Sequence, residues 1–410
     1  MQKIFNRNFR GMIATVATAS VLVLQPAFAA DKKEAEPGGY DAATGKLLNE
    51  AIEMLNMDNY SGAKAKIGTM NFEKLSPYER SHVEQVLASI EHHQENYGAA
   101  RNHLLEGIKA GGFNEQELSD IRYQIAQLYL TEEKWKEGAA ALEEWFRNTS
   151  SPNSAAYYLL AVAYYQMEDF NKALPNAQKA VDLSEKPQES WIQLVLALYL
   201  QKDQFKPAIP LLERLISMVP DKKTYWMQLS SVYGQVEDYP KALAVMQLAY
   251  DAGLTSDDAE IRRLADLLMF NDVPYRGATV LEKAIDNKTV TVDAKLYEKL
   301  ANCWIAAREY DKSINPLQRA AQMSSDGELF IRLGEVQIQR EDWNGAAQAI
   351  ESGLNKGGIK NQANAHVLLG VAYYNMKEYR KARPWFERAT GSSQFGKMAK
   401  GYLQMIAANS

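Results

Sequence analysis

The sequence predicts an all-α protein, a right-handed solenoid of about ten antiparallel helix pairs closed by a C-terminal capping helix. Three observations predict it. A small residue recurs at Ala63, Ala100, Gly138, Ala173, Ala208, Ala242, Gly277, Ser313, Ala346 and Ala382, always 33 to 38 residues from the next. An aromatic stands three places before nine of these, from Tyr60 and Tyr97 to Trp343 and Tyr379; only Tyr275 is offset, two places before Gly277. Between these marks, apolar residues fall at the helical spacing i, i+3, i+4 and i+7, and strand signals are essentially absent.

The elements follow in order. Residues 1–29 have the form of a cleaved secretory signal: Lys3, Arg7 and Arg10, then an uncharged stretch from Gly11 to Leu24, then Ala27-Phe28-Ala29. The apolar core is too short for a bilayer span, which needs about 20 residues. No cysteine stands at the cleavage point to carry a lipid. The expected location is therefore the periplasm, with no direct membrane insertion after cleavage. Residues 30–40, charged and containing Pro and Gly, form a flexible leader. Residues 41–112 hold two irregular helix pairs, residues 113–390 the regular solenoid, and residues 391–410 the capping helix. Each small residue lies where two helices cross, since a larger side chain would hold the backbones apart. Acidic residues before each second helix, as in Glu168-Asp169 and Glu237-Asp238, suit its positive N-terminus. Pro207 and Pro240 lie in a first turn, where no backbone donor is lost; Pro175, Pro210 and Pro384 lie deeper.

Composition narrows the function. The 410 residues carry a net charge of −5, which disfavours nucleic acid as the main partner. One cysteine and five histidines exclude a disulfide framework and leave little for a metal centre. Gly391 to Lys397 matches seven places of a phosphate-binding loop, but Met398 replaces the magnesium-binding hydroxyl and no strand precedes it. His92 and His93 point about 100° apart on a helix, unsuited to one ion. Cys303 falls at an inward place and reads as a buried, inert thiol. Paired acids such as Glu143-Glu144 and Asp257-Asp258 come with no nucleophile or base. No catalytic residue, cofactor or metal is expected.

The repeat resembles the tetratricopeptide repeat, with its pattern W-x2-L-G-x2-Y followed by a small residue, an aromatic, an alanine and a proline. The last unit carries it as Leu369-Gly370, Tyr373, Tyr379, Ala382, Phe386 and Ala389; an earlier one as Trp226, Leu229, Tyr233, Tyr239, Ala242 and Ala249. The resemblance implies a protein-binding groove lined by first helices. Its groove places fall here on Tyr123, Gln127, Tyr158, Val162, Tyr165, Gln166, Gln193, Gln201, Met227, Ser231, Gln235, Val367, Tyr374 and Asn375. Half of the tyrosines are expected to pack in the core instead. The Lys/Asn clamp that some members use for a terminal carboxylate is missing; Asn302 sits at a clamp-like place, but Glu298 one turn earlier would repel a carboxylate. Tyr and Gln together suit an extended or proline-rich protein segment. Signal, irregular N-terminal units and Tyr-rich repeats are further similar to the periplasmic tetratricopeptide proteins associated with TonB–ExbB–ExbD systems in Gram-negative bacteria. That resemblance implies an accessory to TonB-dependent uptake that binds a segment such as TonB's periplasmic linker. A scaffold for envelope biogenesis (outer-membrane protein assembly, polysaccharide export or cytochrome maturation), a subunit of an envelope enzyme and self-association remain open alternatives.

Overall fold

The computed structural model describes residues 39–408, so the expected signal and most of the leader lie outside the described residues. Among the described residues there are 21 helices and no strand. They fall into two compact units that divide between Met218 and Val219.

The first unit holds five helix pairs. These are α1 (Ala42–Asn56) with α2 (Tyr60–Ile67), α3 (Pro77–His93) with α4 (Tyr97–Ala110), α5 (Glu115–Thr131) with α6 (Trp135–Asn148), α7 (Ser154–Gln166) with α8 (Phe170–Asp182), and α9 (Glu189–Gln201) with α10 (Phe205–Met218). The second unit holds five more pairs and a closing helix. They are α11 (Lys223–Gln235) with α12 (Tyr239–Asp251), α13 (Asp258–Phe270) with α14 (Pro274–Asp286), α15 (Ala294–Ala306) with α16 (Tyr310–Met323), α17 (Glu328–Gln339) with α18 (Trp343–Lys356), α19 (Gln362–Asn375) with α20 (Tyr379–Ala389), and the closing α21 (Gly396–Ala408).

All ten recurring small residues are buried in their second helices, and eight of them are alanine or serine with no exposed surface. The steric reason is visible at Gly138, where an added Cβ would fall 2.4 Å from Leu130 Cδ2. Ser313 keeps the place small and turns its hydroxyl to the Tyr310 carbonyl at 2.7 Å. The aromatic three places earlier is half-buried in all nine pairs that have it, while the offset Tyr275 is half exposed.

The turn inside every pair has one backbone form. The second residue after each first helix is left-handed: Asp58, Glu95, Glu133, Glu168, Asp203, Glu237, Asp272, Arg308, Glu341 and Lys377 all have φ between 53° and 62°. The next amide then donates back to the third-last carbonyl of the helix, as in Asp169 N to Tyr164 O, Asp238 N to Tyr233 O and Glu378 N to Tyr373 O, each at 2.9 Å. This is the Schellman closure, made here without glycine. The following residue is Asp or Asn in five pairs, and in four of them its side chain caps the second helix: Asn59, Asp169, Asp238 and Asp342 each accept from the amide three places on, whereas Asn96 turns to Glu91. So the paired acids before second helices have two distinct tasks. The first bends the chain and the second caps the helix.

At the N-terminal end, α3 is buried over most of its length, including Glu79, Glu84 and Glu91. Glu79 closes a capping box with Ser76 and also accepts the Asp41 amide at 2.9 Å, fixing where α1 starts. Pro175, Pro210, Pro316 and Pro384 lie inside second helices without ending them. Each stands one turn in, where a single intrahelical bond is lost.

A left-handed backbone costs a non-glycine residue roughly 1–2 kcal/mol. Part of that cost returns in glycine's greater unfolded-state freedom. Glu237→Gly is therefore expected to stabilise the fold by up to about 1 kcal/mol. Urea unfolding followed by circular dichroism checks it, and a lower midpoint would contradict this account of the turn.

Candidate functional face of the first helices

Successive first helices approach one another directly, α1 with α3, α5 with α7, α13 with α15 and α17 with α19. No two successive second helices come as close among the described residues. The first helices thus form a continuous layer within each unit, and the sequence-derived groove residues all lie on it.

The structure divides those residues into two sets. Tyr158, Val162, Tyr165 and Val367 are buried, each under a tenth exposed, and do not present a face to a partner. Tyr158 stacks on Trp191 of the next first helix, with ring centroids 5.4 Å apart, and burial pushes its phenol up to about 12. Tyr165 packs against Phe170 at 5.7 Å. Val367 belongs to the apolar core beneath the closing helix. Tyr374 is half covered, held between Tyr379 and Tyr402 at 5.4 and 5.2 Å, because α21 folds back over the last pair. Half-buried positions remain at Tyr123, Gln127, Gln166, Gln193 and Gln201 in the first unit, and at Met227 and Ser231 in the second; Gln235 and Asn375 are exposed. Tyr123 lies 4.9 Å from the Trp145 ring, and burial raises its phenol to about 12 as well. Gln193 donates to Glu189 at 3.0 Å.

Sequence reasoning missed the charge on this layer in the second unit. Lys223 pairs with Asp257 and Glu260 at 2.7 and 3.1 Å. Asp266 pairs with Lys299, Glu298 with Arg332 at 3.6 Å, and Asn364 donates to Glu335 at 3.1 Å. Each link joins one first helix to the next. Glu298 therefore does more than repel anions, since it binds the following helix. Arg262 has the most partners: Asp258 at 2.5 Å, Asp293 at 3.2 Å and the Thr291 carbonyl at 2.6 Å. It ties α13 to the loop that leads into α15. The signal was present in the sequence as charges at matching places of three consecutive units. The first unit shows the opposite character over α7 and α9, where Tyr, Leu, Val, Ala and Gln dominate.

The histidines and the cysteine are accounted for locally. His82 Nδ1 donates to the Tyr78 carbonyl at 2.8 Å and Nε2 faces Glu117 at 3.3 Å; His103 Nδ1 meets Glu84 at 2.7 Å. His92 and His93 pack on different rings, Tyr97 and Tyr60. His366 lies beside Trp385 at 5.6 Å. No group of three metal-ligating side chains gathers among the described residues. Cys303 is fully buried, and burial pushes its thiol up to about 11, which leaves little thiolate. An open cleft of about 550 Å³ lies around the turn between α3 and α4, with Lys64, Glu91, Glu95 and Glu132 in its walls. Glu91 is held by Lys64 and Asn96, and Glu132 by Arg101 and Lys134.

Tetratricopeptide repeat models match residues 154–187 and 331–396, so these segments carry the repeat in both units. No curated protein matches the chain. Among solved structures, the chain is similar to a tetratricopeptide repeat protein from Parabacteroides merdae ATCC 43184. Identity is 12%, over 73% of this chain and 100% of that one, with a TM-score of 0.39. It is also similar to YrrB, described as a TPR protein with an unusual peptide-binding site, at 17% identity over 47% of this chain and 95% of that one, TM-score 0.38. MamA protein is 19% identical over 44% of this chain and 96% of its own, TM-score 0.37. The fold of this chain is a tetratricopeptide-type α-solenoid, a class whose members bind protein partners.

The Arg262 hydrogen bond holds the Asp258 carboxyl below its usual range. A lowered carboxylate stabilises the fold above its unfolded value, and that contribution is lost as pH falls through the lowered one. Arg262→Met is therefore expected to lower stability at neutral pH and to flatten the pH dependence below about pH 4. Thermal melts across that range decide it; an unchanged acid limb would remove Arg262 from this role.

Proposed function

We propose that the protein is a non-enzymatic scaffold that works in the periplasm and holds an extended, largely uncharged protein segment along the first-helix layer of its first unit. One observation carries this reading. The layer over α5, α7 and α9 presents half-buried Tyr123, Gln127, Gln166, Gln193 and Gln201 around buried apolar side chains. Amide side chains can bond an extended backbone, and a flat ring can cover a proline or apolar side chain. The corresponding layer of the second unit has its charges linked helix to helix, so it offers an uncharged segment less.

The N-terminal pattern of a cleaved signal supports the compartment. Within that compartment, the resemblance to tetratricopeptide proteins of TonB–ExbB–ExbD systems supports an accessory role in TonB-dependent uptake. TonB's periplasmic linker, extended and rich in proline, has the chemistry the layer would take. The alternatives, a scaffold for envelope biogenesis or a subunit of an envelope enzyme, place different partners on the same surface.

The test is calorimetric titration of the purified protein with a TonB linker peptide, beside a variant carrying Tyr123→Ala, Gln127→Ala and Gln166→Ala. Binding is expected to weaken at least tenfold in the variant, roughly 1.4 kcal/mol, with helicity unchanged. Absence of binding to the linker removes the TonB assignment. A partner recovered by crosslinking in intact envelopes and held equally by the variant removes the first-helix layer.

A further inference from the structure

The C-terminal end of the chain has a charge opposite to the rest. Residues 377–410 contain seven lysines and arginines and two glutamates, in a chain of net charge −5. Both glutamates are already paired on α20, Glu378 with Lys381 at 2.5 Å and Glu387 with Arg383 at 3.4 Å. Lys377, Arg380, Arg388, Lys397 and Lys400 are exposed and are in no ion pair among the described residues. From Arg388 to the last residue the sequence has no acid at all.

The closing helix adds a second, independent feature. α21 packs mainly on α20, with Tyr402 also against Tyr374 of α19. Ala399 and Ile406 face that contact and are buried, with Tyr402 and Leu403 at its edge. On the opposite side, helical spacing brings together Lys397, Met398, Gly401, Gln404 and Met405, with Lys400 flanking them. Met398 and Met405 are 51% and 43% exposed, about two helical turns apart. An added Cβ on Gly401 would meet nothing within 4 Å, so this side is open. On α20, the Arg388 guanidinium lies 4.4 Å over the half-buried Trp385 ring, at the same end of the unit.

We propose that α20 and α21 form a peripheral docking surface for a membrane rich in anionic phospholipid. Charge complementarity selects the occupant. The cations are spread over the outer sides of two helices rather than gathered into a fork for one carboxylate. A lone helix side gives no walls to clasp a peptide. A bilayer presents its anionic headgroups as a broad sheet, which dispersed lysines and arginines meet without fixed geometry. The two methionines then reach the boundary between headgroups and acyl chains, adding apolar contact between the cations. The helix would lie on the surface, because no helix among the described residues is long and apolar enough to cross a membrane. Attachment of this kind would hold the protein at an envelope surface.

The test is vesicle flotation with the full chain, comparing phosphatidylcholine vesicles with vesicles that also contain phosphatidylglycerol. Two exposed-residue variants accompany it, one with Arg380→Gln, Arg388→Gln, Lys397→Gln and Lys400→Gln, the other with Met398→Ser and Met405→Ser. The wild type is expected to float with the anionic vesicles only and to be released by high salt. The charge variant is expected to bind at least about tenfold less, and the methionine variant several-fold less. Circular dichroism confirms that both remain helical. Failure of the wild type to float with anionic vesicles, equal flotation with neutral ones, or unchanged binding of the charge variant overturns the proposal. If polyglutamate binds this surface while anionic vesicles do not, the partner is an acidic protein instead.

Discussion

In six of the ten helix pairs one aromatic residue joins the turn inside the pair to the seam between pairs. It stands third from the end of the first helix, as Tyr129, Tyr164, Tyr199, Tyr233, Trp304 and Tyr373. Its carbonyl accepts the amide that closes the left-handed turn. Its side chain reaches back to the second helix of the preceding pair: Tyr164 to Glu143, Trp304 to Glu282 at 3.1 Å, and Tyr373 to Glu351. Gln178 donates to Tyr199 in the same way. A lysine from the pair's own second helix then covers the ring, Lys172 over Tyr164 at 4.9 Å, Lys241 over Tyr233 at 5.4 Å and Lys312 over Trp304 at 4.7 Å. Burial and the Glu351 carboxylate together push the Tyr373 phenol up to about 12. The same aromatic therefore sets how a pair folds and how it sits on its predecessor. In a stack where each pair touches mainly its neighbours, that coupling propagates the geometry along a unit.

The small residue at the helix crossing is the other half of this constraint. Ala173, Ala208, Ala242, Ala346 and Ala382 bring the second helix close enough for the lysine one place earlier, where there is one, to lie over the ring. The seventh pair departs from the rule. Pro274 stands where other pairs have an aromatic, and Tyr275 moves out to half exposure. Its ring meets Trp304 of the next pair at 5.2 Å, edge-on, with Lys312 over both. The seam survives because the neighbouring pair supplies the missing contact.

The first-helix layers show how one scaffold carries different surfaces. Between α7 and α9 of the first unit the link is apolar and aromatic, as between Tyr158 and Trp191. In the second unit links between first helices are ionic, as between Glu298 and Arg332. The scaffold tolerates either, since burial of the small residues and seam aromatics supplies the framework. Ion pairs that are partly exposed contribute little stability each, so their position on the layer matters more for what the layer can accept than for whether the unit folds.

The fold was legible in the sequence because a period of 33 to 38 residues places the same few residue types at the same helical positions each time. Small residues, aromatics, helix caps and the closing helix all follow from local chemistry that one chain segment carries alone. The candidate site was legible only in part. The repeat marks which positions lie on the first helices, and so located Tyr158, Tyr165 and Val367 on the right layer. Whether such a side chain remains accessible depends on what packs beside it: Trp191 stacks on Tyr158, and Tyr402 of α21 meets Tyr374. The left-handed turns passed unnoticed because glutamate, lysine and arginine there have no local signature of positive φ. Only the closing hydrogen bond, set by packing of both helices, holds them in it. The sequence by itself determined the repeating helix pairs, because propensity, period and capping act within a single unit. Exposure and charge pairing were decided by the tertiary structure, because they are properties of the contact between units.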